Sequence, residues 1–228
     1  MKILIVVSKV VIVAVALLGG LTGLWSACTT RDALKFKQPF EEHDQLAKSY
    51  MAQITSAEKR NDLNEVTRVR RDYEAFEEKW RTGRQIAKIV APIESLATAQ
   101  LSAEETAALR ELMVKGAGGL SPAVISSTTM GAAYLALNDF QDSAEQLNVA
   151  TSKKKDPNAF ALKAAAYSGL ASHTTDPDLK QKYEIAAVAS FNEALKASPK
   201  STELTDFALA VPSLKAILEE KGFKLTNR

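Results

Sequence analysis

Apolar residues recur every three or four positions along most of the chain after residue 40, and this spacing constrains the fold more than any other feature. In the first such segment the recurring residues are Leu46, Tyr50, Ile54, Ala57, Leu63, Val66, Val69, Tyr73, Phe76 and Trp80. The spacing gathers apolar side chains on one face of an α-helix, whereas a half-buried strand needs strict alternation of apolar and polar residues. No stretch alternates for long enough to indicate a sheet. The sequence therefore predicts an all-α protein made of paired amphipathic helices.

Residues 40–116 are predicted to form N-terminal helical hairpins. Polar residues 60–62 interrupt the apolar spacing and separate two long arms, and the second arm is expected to end at Thr82-Gly83. A further helix is expected over Gln85–Leu96. Pro92 should kink or split that helix, because proline lacks an N–H and its ring clashes with the preceding turn.

Local start and stop signals divide the remaining helices. Ser102 and Glu105 have the S-x-x-E spacing of a capping box, which predicts a helix start there and an end near Gly116. Residues 116–122 combine glycines with a Ser121-Pro122 pair, a strong break followed by a new helix start. We expect this break to separate residues 40–116 from residues 117–228.

Two segments after this break share one order of residues, about one repeat length apart. The first contains Met130-Gly131, Tyr134, Asn138-Asp139-Phe140, Leu147 and Ala150, and the second contains Phe160, Ala164, Tyr167, Ala187, Phe191, Ala194 and Pro199. This order of a small residue, an aromatic residue, a turn and an apolar stripe resembles the tetratricopeptide repeat (TPR). The resemblance implies stacked helical hairpins in a short TPR-like solenoid, closed by capping helices over 201–221.

The resemblance also implies a concave groove lined by the first helix of each repeat. The residues expected to face it are Ile125, Thr128, Ala132 and Leu135 in the first unit, and Asn158, Ala161, Ala165 and Ser168 in the second. We expect the last three of each set to contact a protein partner. The Lys and Asn residues that clamp peptide C-termini in some members of the family are missing, so the wall should accept a helix or an extended segment by burial. Alternatively, in so short an array these small residues pack against the neighbouring helix.

The N-terminal residues 1–27 have the order of a secretory signal. Lys2 and Lys9 precede an apolar run over Val10–Trp25, and small residues lead to the only cysteine, Cys28. That run would span roughly 24 Å as a helix, less than the roughly 30 Å of a bilayer's hydrocarbon core. If the Lys9 side chain extends to the membrane–water interface, the alternative is that the segment stays uncleaved and anchors the protein in the membrane.

The segment Leu24-Trp25-Ser26-Ala27-Cys28 resembles the lipobox of bacterial lipoproteins, with tryptophan in place of the usual leucine. The resemblance implies cleavage before Cys28, lipidation of that cysteine, and a tether over residues 28–39 that joins the lipid to the fold. Thr29, where an aspartate would signal retention, favours the outer membrane over the inner membrane.

Charge and motif content argue against several function classes. Only two of the 29 basic residues precede Cys28, so the rest of the chain carries 27 basic and 27 acidic residues. A nucleic-acid partner is not expected, because binding to phosphates needs a surplus of basic residues. His43 and His173 are far apart in the sequence, and no metal, cofactor or nucleophile motif accompanies them. We therefore expect no metal, no cofactor and no enzymatic activity.

These features predict a membrane-tethered adaptor or scaffold lipoprotein on the periplasmic side of a bacterial envelope, with an envelope protein as its partner. Two alternatives stay open. One is a signal-anchored accessory subunit of an integral membrane complex. The other is a ligand-binding accessory component of an envelope transport system, which would need a deep pocket with convergent polar groups.

Overall fold

A computed structural model describes residues 37–116 and 125–225, and every regular element in these two ranges is an α-helix. In chain order the helices are α1 (Lys37–Lys59), α2 (Leu63–Glu94), α3 (Ala103–Gly116), α4 (Ser127–Ala136), α5 (Phe140–Lys153), α6 (Pro157–His173), α7 (Pro177–Ala197), α8 (Thr202–Ala210) and α9 (Pro212–Glu220). The all-α prediction is confirmed for these ranges. None of the helices described combines the length and the apolarity needed to cross a membrane.

Several predicted segments lie outside the described residues. These are the signal or anchor over residues 1–27, the tether up to residue 36, and the Ser121-Pro122 pair. Residues 37–39, which the sequence assigns to the tether, belong to α1. The first helix after the undescribed residues 117–124 begins at Ser127, and its N-cap Ser126 accepts a hydrogen bond from the Thr129 N–H at 3.0 Å.

α2 continues through the glycine at which the sequence predicts a helix end. Thr82 and Gly83 are both buried within this helix. A glycine in a helix interior costs about 1 kcal/mol relative to alanine. Burial of the large apolar side chains of Trp80 and Ile86 on either side offsets such a cost. The predicted end at Gly83 is therefore wrong, and the separate helix predicted after it is the second half of α2.

Pro92 does not split α2, because the helix continues through it to Glu94. The proline lies in the last turn, and the helix stops at Glu94. The Ser95 N–H still donates to the Ala91 carbonyl at 2.9 Å, and Leu96 then takes a φ of 63°, which reverses the chain direction. Because proline has no N–H to donate to the carbonyl four residues earlier, α2 lacks one backbone hydrogen bond at this position.

Side-chain caps set the starts of several helices. Ser102 and Glu105 form the predicted capping box: the Ser102 N–H donates to Glu105 Oε2 at 2.9 Å, and the Glu105 N–H donates to Ser102 Oγ at 3.2 Å. Asp176 caps α7, where its Oδ1 accepts from the backbone N–H groups of Asp178 and Leu179 at 2.9 and 3.2 Å. Such caps pair N–H groups that a helix leaves unsatisfied at its start.

The chain divides into two compact units, with the boundary between Ser49 and Tyr50 in α1. In the described part of the first unit, Lys48 and Asp44 form an exposed ion pair at 3.3 Å. In the second unit, the Tyr50 ring lies 5.7 Å from the rings of both Tyr73 and Phe76, measured between centroids. These ring contacts join the end of α1 to α2.

One hydrophobic core in the second unit joins helices from both sides of the predicted 116/117 boundary. It contains Ile86, Val90 and Ile93 from α2 together with buried residues of α4 to α9. Within it α6 is central, because it packs against α5, α7 and α9 and also touches α2, α4 and α8. Residues 50–116 and 125–225 therefore bury a shared core rather than two separate ones.

Two glycines allow helices to approach closely in this core. A Cβ placed on Gly131 in α4 would lie 2.4 Å from Leu147 Cγ in α5, and a Cβ placed on Gly169 in α6 would lie 2.4 Å from the Phe140 ring. Buried Ser143 in α5 donates its hydroxyl hydrogen bond to the Gly131 carbonyl at 2.8 Å. A large side chain of one helix thus fills the space left by a glycine in its neighbour.

Candidate functional site

The structure buries most of the residues that the sequence places in a binding groove. Ala132, Ala161 and Ser168 are 0% exposed, Ala165 is 2% exposed and Leu135 is 9% exposed. Thr128 is half-buried. Five of the six predicted contact residues therefore do not lie on an open surface, and their small side chains serve to pack helices together.

The C-terminal half of α2 packs against the first helices of both predicted repeats. It contacts α4 and, less extensively, α6. Polar groups at its end join them: Thr129 Oγ1 in α4 donates to Glu94 Oε2 at 3.1 Å, and Asn158 Nδ2 in α6 donates to the Glu94 backbone carbonyl at 3.1 Å. Packing against a neighbouring helix was the second interpretation of the small-residue pattern, and it describes the observed position of these residues.

Ser168 differs from the other buried residues because it borders a depression on the protein surface. The depression has a volume of about 200 Å³ and lies between α6, α7 and α9. Its lining consists of Ser168, Ala171, Ser172, Ser213, Ala216 and Ile217, with the charged Lys180, Glu184 and Glu220. Ser168 Oγ and Ser213 Oγ are 2.9 Å apart, so a hydrogen bond joins α6 to α9 at the floor.

Mostly small side chains line this depression, together with three charged side chains. Ala216 in α9 is exposed, whereas Ile217 next to it is 8% exposed and packs inward. Lys221 Nζ pairs with Glu220 at 3.0 Å; that carboxylate, and then the nearby Glu184, raise the pKa of Lys221. The arrangement presents hydroxyl and methyl groups beside one basic and two acidic side chains.

Sequence reasoning identified Ser168 but missed the α9 side of the depression. Ser213, Ala216 and Ile217 lie in the segment predicted only as a cap. Ser213 and Ala216 are three residues apart, which places two small side chains on neighbouring positions of one helix face. The three-residue spacing of these small side chains is the sequence feature that could have indicated the α9 side of the depression.

His173 contacts neighbouring groups at the end of α6. His173 Nδ1 lies 2.9 Å from the Gly169 carbonyl and 3.0 Å from Ser172 Oγ, and its ring lies 5.2 Å from the Phe140 ring. These contacts fit the end of α6. Within residues 37–116 and 125–225, no three His, Cys, Asp or Glu residues are grouped so as to hold a metal ion. Cys28, the predicted lipidation site, lies outside the described residues.

Comparisons of the chain with protein-family models, with curated proteins and with solved structures give no match.

Proposed function

We propose that this chain is a membrane-tethered adaptor lipoprotein of a bacterial envelope, with helices arranged as a TPR-like solenoid and with a protein partner bound at the depression between α6, α7 and α9. The depression is the observation that carries the proposal. It replaces the longer groove expected from the sequence, because α2 packs against that face and most of its predicted lining is buried.

The size of the depression favours a protein over a small ligand. Pockets for drug-sized molecules or cofactors enclose roughly 300–1,000 Å³, whereas this depression measures about 200 Å³. A volume of that size accommodates one or two side chains of a partner helix or extended segment. Its mixed small, apolar and charged lining resembles the polar rim and apolar centre of a protein interface.

The TPR-like arrangement rests on two features. The helices α4 and α5 pair through the Gly131 and Leu147 contact at positions that match the repeat pattern, and α9 packs against α6 and α7 at the end of the array. A repeat array needs such a closing helix, because each hairpin leaves an apolar face open.

The tether at Cys28 gives this binding a mechanism. A lipid anchor confines the protein to a membrane surface, so any partner in the same membrane meets it at a raised effective concentration. Weak contacts at one small depression then suffice for association. An adaptor of this type acts by binding a partner at the membrane surface and does not transform a substrate.

Arginine substitution at Ala216 tests the binding surface. Ala216 is exposed, so Ala216→Arg fills the depression while leaving the buried core in place. Ala108→Arg in α3 is the matched control, since it makes the same change at an exposed helical alanine away from α6, α7 and α9. Crosslinking in intact cells should recover a defined partner with the wild type and with Ala108→Arg, and lose it with Ala216→Arg. Recovery with all three proteins would contradict the proposed surface.

Metabolic labelling with a palmitate analogue tests the tether. The wild type should carry the label and Cys28→Ser should not. An unlabelled wild-type protein that stays in the membrane fraction would support the signal-anchored alternative instead. Separation of the two membranes should place the labelled protein in the outer membrane if the residue after the cysteine acts as expected.

A further inference from the structure

Lysines concentrate at the end of the molecule where α5 ends, α6 begins and α7 ends. The set consists of Lys153, Lys154, Lys155, Lys163, Lys196 and Lys200, against two acidic residues in the same segments, Asp156 and Glu193. Asp156 is engaged as the N-cap of α6, where its carboxylate accepts from the Asn158 N–H at 3.1 Å. We call this surface the lysine end.

Phe160 lies at the centre of the lysine end. Its half-buried ring borders a depression of about 130 Å³, which is also lined by Lys155, Glu193, Lys196 and Ala197. Lys163 Nζ lies 6.0 Å from the centre of the same ring. The Phe160 ring thus lies 6.0 Å from Lys163 of α6 and borders the same depression as Lys155 of the α5–α6 loop and Lys196 of α7. This depression shares no lining residue with the one that contains Ser168.

Helix stability accounts for only part of these charges. Cations in the last turn of a helix interact favourably with its dipole, which explains Lys153 in α5 and Lys196 in α7. It does not explain Lys155, which follows the end of α5, or Lys163, which lies within α6. Lys196 also pairs with Glu193 at 2.6 Å, and this pairing lowers the pKa of Glu193, with a smaller contribution from Lys155.

Lys163 is a half-buried cation whose charge is poorly compensated. Its Nζ lies 3.4 Å from Thr151 Oγ1 and 6.0 Å from the centres of the Phe160 and Tyr167 rings. Among the residues that the structure describes, no carboxylate forms an ion pair with it. Burial lowers the pKa of Lys163, as expected for an amine removed from water without a counter-charge. An anion placed beside Phe160 would supply that counter-charge.

We propose that the lysine end binds an acidic peptide segment in which one apolar side chain enters the depression beside Phe160 while flanking carboxylates meet Lys155, Lys163 and Lys196. Charge complementarity selects an anionic partner. The volume of about 130 Å³ selects a single apolar side chain, since it is well below that of a pocket for a separate small molecule.

A peptide fits this surface better than an anionic membrane does. Glu193 stands among the lysines and would face the headgroups of an acidic lipid surface at close range. An extended peptide can place one carboxylate at a remaining N–H donor of Lys196, which gives one of its three to Glu193, and place others beside Lys155 and Lys163. The depression is also a recess for one side chain, whereas a lipid surface presents a layer of headgroups.

The test uses the full chain in detergent micelles and a fluorescein-labelled peptide with one leucine flanked on both sides by glutamates. Fluorescence anisotropy measures its affinity for the wild type, for Lys155→Glu with Lys196→Glu, and for Lys79→Glu with Lys88→Glu as a control of equal charge at exposed positions of α2. The first pair of changes should weaken binding about tenfold at low salt, because several exposed charge pairs with the peptide become repulsive. The control pair should change the affinity far less.

Three further measurements distinguish peptide recognition from general charge attraction and from lipid binding. Replacing the leucine of the peptide with serine should weaken binding, and added salt should weaken it for the wild type more than for the Lys155 and Lys196 variant. Equal losses with the control pair would overturn the proposal, because net charge alone would then account for binding. Displacement of the peptide by phosphatidylglycerol vesicles, but not by excess unlabelled peptide, would also overturn it and assign the surface to lipid.

Discussion

The contact between Gly131 and Leu147 predicts that Gly131→Ala destabilises the wild-type protein. The same substitution should stabilise a protein in which Leu147 is replaced by alanine. Gly131→Ala places a methyl group 2.4 Å from Leu147 Cγ, 2.8 Å from Cδ2 and 3.2 Å from Cδ1. Leu147 is 0% exposed, so its branched carbon has little room to move. The substitution tests whether α4 and α5 pack as closely as described.

Two opposing terms set the size of the effect. Alanine is favoured over glycine in a helix by about 1 kcal/mol, whereas an extra methyl group in a packed core typically costs about 1–3 kcal/mol. A contact of 2.4 Å with a buried branch point lies at the upper end of that cost. We therefore expect Gly131→Ala to lower the free energy of unfolding by about 1–2 kcal/mol.

In a Leu147→Ala background the same change should be stabilising. Removing the leucine side chain costs about 2–5 kcal/mol by itself, but it removes the three close carbon atoms. Two stabilising terms then remain: the helix preference of alanine over glycine, about 1 kcal/mol, and the partial filling of the cavity left by the leucine. The assay is thermal unfolding of the full chain in detergent, followed by circular dichroism, where 1 kcal/mol shifts the midpoint by about 2–4 °C. Destabilisation by Gly131→Ala in both backgrounds, by the same amount, would refute the close contact.

Substitutions at three other positions test local features. Asp176→Ala removes the acceptor for the N–H groups of Asp178 and Leu179, and thermal unfolding should show a loss of about 1 kcal/mol. Gly222 has a φ of 84° and no atom within 4 Å of an added Cβ; Gly222→Ala should therefore cost about 1 kcal/mol from backbone strain alone, and Gly222→Asn less. Burial, followed by a hydrogen bond with Glu77, raises the pKa of Tyr73 from 10.0 to about 12. The neutral phenol therefore contributes stability that is complete below pH 10 and is lost as the pH rises through about 12. Tyr73→Phe should remove the phenolate absorbance that appears near pH 12 and lessen the loss of stability over that interval.

The features that sequence predicted well are those set by neighbouring residues. The Ser102 capping box depends on hydrogen bonds within one turn, and it is present in the structure. The all-α class follows from apolar spacing, which is also local. The predicted end at Gly83 failed because the cost of one helical glycine is small compared with the burial of apolar side chains around it.

The candidate site was harder to predict because it depends on contacts between distant segments. Small residues such as Ala132 and Ala165 suit a groove wall and a close helix contact equally well. The position of α2 decides between these two roles, and it is set by contacts such as those of Glu94 with Thr129 and Asn158. In the same way, Ser168 borders a surface depression only because the start of α9 places Ser213 beside it.

A photo-reactive amino acid at position 216 tests most directly whether the depression between α6, α7 and α9 meets a macromolecule. The residue is inserted at Ala216 and, as a control, at Ala108, and intact cells are irradiated. Position 216 should give a discrete protein adduct that disappears when Cys28 is replaced by serine, and position 108 should give none. The same adduct from both positions, or no adduct from position 216 while the protein is present in the membrane, would contradict the adaptor account.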